Sequence, residues 1–95
     1  MVVGVARISL KLFDVFSLKG KRRIINSMKS RLANRFNASV AETGKNDSLE
    51  WGEIAIAMAG KDAGRINSQL DKALNMAENM GLAMIADTSI EIIHL

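Results

Sequence analysis

An α+β sandwich, one sheet carrying two helices on one face, is predicted by three observations: segments that alternate apolar and polar residues, segments with apolar residues at helical spacing, and their order along the chain, β-α-β-β-α-β. The 95 residues, 48% hydrophobic and 24% charged, suffice for one core and leave no length for a second. A single domain over residues 1–95 is therefore expected.

Residues 2–13 alternate, with Val2, Ala6, Ile8, Leu10 and Leu12 on one parity and Val3, Val5, Arg7, Ser9 and Lys11 on the other, as a half-buried strand requires. The period changes over 14–17, and Ser17 stands where a helix cap is needed, its hydroxyl able to accept from a free amide of the next turn. A helix over 18–36 follows, with Leu18, Ile24, Ile25, Met28, Leu32 and Phe36 forming its apolar stripe. Residues 37–43 read as a short strand with Ala38 and Val40 on its apolar parity. Gly, Asn, Asp and Ser gather over 44–50, the chemistry of a hairpin turn.

The third strand, 51–59, places Ile54, Ile56 and Met58 on one side and Trp51, Glu53, Ala55 and Ala57 on the other before Gly60 breaks the run. Asp62 suits the cap of a second helix over 63–80, striped by Ala63, Ile66, Leu70, Ala73, Leu74, Ala77 and Met80, and Gly81 suits the residue just past its end. Residues 83–94 form the last strand, with Ile90 and Ile92 inward and Glu91 and Ile93 outward. Two right-handed crossovers joined by a hairpin give an antiparallel four-stranded sheet of order 4-1-3-2 with both helices on one face, the ferredoxin-like βαββαβ sandwich. An open α+β sheet of another strand order is the alternative.

Composition removes several function classes. The chain has no Cys and a single His, which excludes disulfides, thiolate metal sites, cysteine nucleophiles and histidine clusters, so no metal and no cofactor is expected. No apolar run approaches the ~20 residues of a membrane span, so a cytoplasmic protein with no membrane partner is expected. The net charge of +3 hides an asymmetry. Residues 1–41 carry nine bases against Asp14 alone, a balance of +8, and residues 42–95 carry four bases against nine acids, a balance of −5. Such a field steers a polyanion toward the first half without implying sequence specificity for DNA.

The opening VVGVARISLKL, the run SLKGKRRIINSMKSRLANRFNASVAE and the Trp that opens the third strand resemble the YlxP-like family of small bacterial proteins, a domain of unknown function. The resemblance spans essentially the whole chain. Its most specific stretch is Ser17-Leu18-Lys19 and Lys21-Arg22-Arg23, followed by Arg31, Asn34, Arg35, Phe36, Asn37, Ser39, Val40, Ala41 and Glu42. It implies a ferredoxin-like domain of the bacterial cytoplasm, encoded among translation-initiation and ribosome-maturation genes, and no established reaction. The tail SIEIIHL and the loop 44–50 depart most from that pattern.

Two surfaces are candidates for binding. The first helix crowds Lys19, Lys21, Arg22 and Arg23 at the positive end of its dipole, where free amides and cations together attract an anion, and continues with Lys29, Arg31 and Arg35. A helical wheel puts Lys19 and Arg23 outward with Asn26, Ser30 and Asn34, Arg22 and Lys29 on one flank, and Arg31 and Arg35 on the other. The competing reading is that these bases simply solvate an exposed face. The second surface is the sheet face turned away from the helices, where Val3, Val5, Ala55, Ala57 and Ile93 suit self-association better than base stacking, because the central strands lack aromatic residues. Trp51 has the parity of a stacking residue but stands at a strand start, where edge packing is the expected role.

Catalytic residues are not expected. An acylphosphatase, an enzyme of this layout, needs a phosphate cradle in the first β-α turn, and residues 13–20 (FDVFSLKG) lack its glycine pattern. His94 lies at the chain end, where fraying is expected, and Asp14 beside Lys and Arg suits a helix-entry ion pair better than a general base. The sequence thus predicts a nonenzymatic domain that binds RNA or a ribosomal subunit, with a homodimeric structural or regulatory module as the rival.

Overall fold

Alternation over β1 (Val2–Lys11) does what the pattern requires: Val2, Ala6, Ile8 and Leu10 are buried while Val3, Val5, Ser9 and Lys11 stay partly accessible and Arg7 is exposed. The computed structural model describes all residues from Met1 to Leu95. After β1 come α1 (Leu18–Arg35), β2 (Ser39–Gly44), β3 (Trp51–Gly60), α2 (Ala63–Asn79) and β4 (Met84–His94). The strands pair antiparallel in the order β2-β3-β1-β4, the expected order read from the other edge, which makes the fold ferredoxin-like.

Both helices cover one face, α1 over the β2 side and α2 over β1 and β4. The core between the layers combines Ile8, Leu10, Ile54 and Ile56 from the sheet with Ile25, Met28 and Leu32 from α1 and Leu70, Ala73 and Ala77 from α2. Burying a side chain of the Ile, Leu or Met size contributes about 1.5–3 kcal/mol each, so this seam is the main source of stability. Gly4 lets α2 come close to β1. A Cβ there would fall 2.7 Å from Leu70 Cδ1 and well inside contact distance of Ile66 Cγ2.

Both expected helix caps form. Ser17 Oγ accepts from Gly20 N at 3.1 Å, and Asp62 Oδ1 accepts from Gly64 N at 2.9 Å and Arg65 N at 3.5 Å. Gly81, with φ 68°, occupies the left-handed conformation that ends α2.

Beyond single-residue shifts at element ends, three points differ from expectation. β1 stops at Lys11, not at residue 13: Leu12 is still buried and donates its amide to Glu50 O at 2.8 Å, but Phe13 swings into solvent and Asp14 turns the chain with φ 56°. β2 begins at Ser39, not 37, because Ala38 N donates to Phe36 O at 2.9 Å and closes a tight turn there. Leu18, expected in the stripe of α1, is exposed, because the buried line runs Lys21, Ile25, Met28 and Leu32.

Candidate nucleic-acid interface

Helix α1 carries no acidic residue over 18–35. Lys19, Arg22, Arg23, Arg31 and Arg35 are exposed and Lys29 is half-buried. The molecule has two ion pairs, Lys11 with Glu50 at 3.0 Å and Lys21 with Glu42 at 3.9 Å, so these six cations enter none. No side-chain hydrogen bond within the protein uses them either. The face therefore presents unneutralised charge beside Asn26, Ser30 and Asn34, which are exposed as well. Cations beside the positive end of a helix dipole cost about 0.3–1 kcal/mol each unless an anion offsets them, and no acid of the first turn does so here.

Lys21 is the correction to the expected cluster. It is 1% exposed, and its ammonium donates to Lys45 O at 2.5 Å and Ser48 O at 2.6 Å, with Glu42 beyond. It is thus a pin between the start of α1 and the β2–β3 turn, with its donors committed to that turn and withheld from any phosphate. The spacing 21-25-28-32 repeats at i, i+4, i+7 and i+11 and is the signal that puts it inward. The two carbonyls and Glu42 satisfy the buried ammonium, and the long aliphatic stem fills the apolar line, which together make the position tolerable for a charged residue.

The outer sheet face assembles as expected. Val3 lies opposite Ala59 and Ile93, and Val5 opposite Ala57 and Glu91, so the apolar residues gather at one end of the sheet. Arg7 has no carboxylate directly across from it on either neighbouring strand. Its partners across the strands are Ala55 and Ser89, while Glu53 faces Ser9 and Glu91 faces Val5, each one step diagonal, and Arg7 enters no ion pair. Trp51, 38% exposed, lies against the Lys11 ammonium, 4.6 Å from its ring centroid, and Lys11 is held in turn by Glu50.

Sequence reasoning passes over Phe13 and Phe16. They are 59% and 88% exposed and border, with Ser48 and Leu49 of the facing turn, a concavity at the end of the molecule where α1 begins. The position of Phe13 off the buried parity of β1 and the place of Phe16 just before a helix cap are the available signals. No group of three His, Asp or Glu side chains is placed to hold a metal ion, and no helix is long and apolar enough to cross a membrane.

Comparison with known proteins agrees with this frame. A family model described as protein of unknown function (DUF503) matches residues 3–90. The uncharacterized protein YlxP of Bacillus subtilis (strain 168) is 28% identical over 68 residues, which is 72% of each chain. The de novo designed protein Foldit4 shares the fold at a TM-score of 0.54 and 14% identity, covering 99% of this chain and 97% of its own. A dimeric ferredoxin-like protein of unknown function from Thermobifida fusca YX aligns at a TM-score of 0.43 and 16% identity, over 98% of this chain and 92% of its own.

Proposed function

Since the chain belongs to the DUF503 family, whose description assigns no activity, we propose from its own surface that it is a nonenzymatic RNA-binding domain acting on the phosphate backbone through α1. One observation carries this reading: six cations on one helix, with no acid on that helix and no ion pair to any other element. No acid stands in the first turn of α1 to offset the charge gathered there, and a bound polyanion relieves that repulsion. Lysine, arginine, asparagine and serine hold phosphate oxygens well. They supply no activated nucleophile or base in this arrangement, so the role is binding and positioning rather than turnover. The translation-linked gene setting implied by the resemblance favours ribosomal RNA or a ribosomal subunit in the bacterial cytoplasm as the partner.

The test is binding of a fluorescent ribosomal RNA fragment across a salt series. Arg22→Ala with Arg23→Ala should weaken binding to all sequences alike and flatten the logarithmic salt slope by about 0.7 for each single-strand phosphate no longer neutralised. A folded double variant with an unchanged slope overturns the proposal.

A second reading, a homodimer through the outer sheet face, has its own support in the adjacency of Val3, Ile93 and Ala59 and of Val5 and Ala57. An apolar patch of a few hundred Å² is worth several kcal/mol at about 25 cal/mol per Å² before association entropy is subtracted. Sedimentation at high micromolar concentration, compared with Val5→Lys, decides it: an unchanging monomer, or a folded variant that associates equally well, removes this reading.

A further inference from the structure

Two large rings stand in solvent on one loop, three residues apart in sequence, and border the same concavity. Phe13 and Phe16 flank Asp14, whose φ of 56° turns the backbone sharply between β1 and α1, and both remain open although Leu12 next to them is buried. Asp14 is exposed on the same loop, and Asp47 on the facing turn is exposed as well. These carboxylates make the loop itself unsuited to hold phosphate. The cations begin just beyond it, at Lys19, three residues after Phe16, and continue to Arg35, about 24 Å further along the helix axis at 1.5 Å per residue.

Resting on the reading of α1 as a phosphate surface, we infer that Phe13 and Phe16 are a stacking platform for the bases of a single-stranded RNA whose backbone runs along α1. Aromatic rings accept any base on their π-face, and pairing such rings with a cationic track is how single strands are held without sequence preference. Charge geometry favours this occupant over an anionic lipid surface. A flat membrane touching the ring tips at the end of the molecule meets only the cations of the first turns, whereas a linear polyanion running along the helix can follow Lys19 and Arg23 on to Arg31 and Arg35. A second copy of the chain would bring another cationic helix start against this one.

The probes are a fluorescent oligouridine of roughly 12 nucleotides, within the usual range for one small domain, and an abasic oligonucleotide of equal charge. Phe16→Leu and the double variant Phe13→Leu with Phe16→Leu keep apolar bulk but remove the rings, and both positions are exposed enough for the fold to survive. Oligouridine affinity should fall at least about fivefold per ring removed with the salt slope unchanged, and the abasic strand should bind wild type and variants alike. Equal oligouridine binding by all three proteins overturns the inference while leaving α1 as a phosphate surface. Absence of salt-dependent binding by the wild type overturns both. Ring-dependent cosedimentation with phosphatidylserine vesicles, or a ring-dependent mass increase of the protein alone, without a ring effect on oligouridine, reassigns the loop to lipid or to a second copy and overturns it equally.

Discussion

Helices α1 and α2 lie on the same face of the sheet, span 18 and 17 residues and bury four residues each, yet their first turns are built in opposite ways. α2 opens on Asp62, a charged cap accepting from two amides, and its further charges, Arg65, Asp71, Lys72 and Glu78, balance. α1 opens on the neutral Ser17, accepting from one amide, followed by Lys19, Lys21, Arg22 and Arg23 with no acid. The charges of α2 thus cancel along its length, although Arg65 and Glu78 stand at the ends the dipole disfavours, and α1 departs from such balance with seven bases and no acid. Departures of that kind, where burial and capping are otherwise regular, mark the part of a fold shaped by something outside it.

The comparison can be broken most severely at the helix–sheet seams. Gly4→Ala should destabilise by about 1–3 kcal/mol in denaturant unfolding, since its Cβ would enter the space of Ile66 and Leu70, and Gly4→Val by more. The equivalent change under α1, Gly52→Ala, meets Ile25 Cδ1 at 3.3 Å and Leu12 Cδ1 at 3.5 Å, the movable ends of both side chains, and should cost under about 1 kcal/mol. If the two cost the same, the close approach of α2 is not special.

Next in size is the contrast inside α1. Lys21→Met fills the same space but leaves the carbonyls of Lys45 and Ser48 without their donor, and should lower stability by about 1–3 kcal/mol while leaving the salt slope of RNA binding intact. Arg22→Ala with Arg23→Ala should do the reverse, with a shallower slope and unchanged or slightly raised stability. A smaller effect sharpens the difference between the caps: Ser17→Asp gives α1 the cap type of α2 and should stabilise by about 0.3–1 kcal/mol while weakening RNA binding. The smallest is a null, in which Arg65→Ala with Lys72→Ala on α2 leaves the RNA salt slope where it was.

The layout is legible in the sequence because β1, β2 and β3 keep a two-residue alternation and each helix a continuous stripe, and because Ser17, Asp62 and Gly81 mark helix ends by well-defined chemistry. The cationic side of α1 is legible for the same reason, since a wheel needs only spacing. Lys21 escapes such a reading when residue type is weighed above position: a lysine is expected to face water, although 21, 25, 28 and 32 share one line. The partners of Arg7 escape it because parity says which face a residue takes, whereas register across strands decides which residue it meets. Register is set by turns and by the irregularity between Ser9 and Leu10 against β4. The exposed rings of Phe13 and Phe16 have no periodicity to announce them, because loops carry none.

The central position of β1 has a kinetic consequence. It is the first strand made, yet both its neighbours come from the far half of the chain: Val2 aligns with Gly60 on one side and with His94 on the other. Neither ladder can grow from a local turn, so two long loops must close before β1 is paired at all, and the topology places this chain among the slower-folding domains of its size. The β2–β3 hairpin, whose strands are separated by one short turn, is the piece able to form early. In stopped-flow refolding, substitutions on β4 should then act mainly on the unfolding rate, and substitutions in the hairpin mainly on the folding rate.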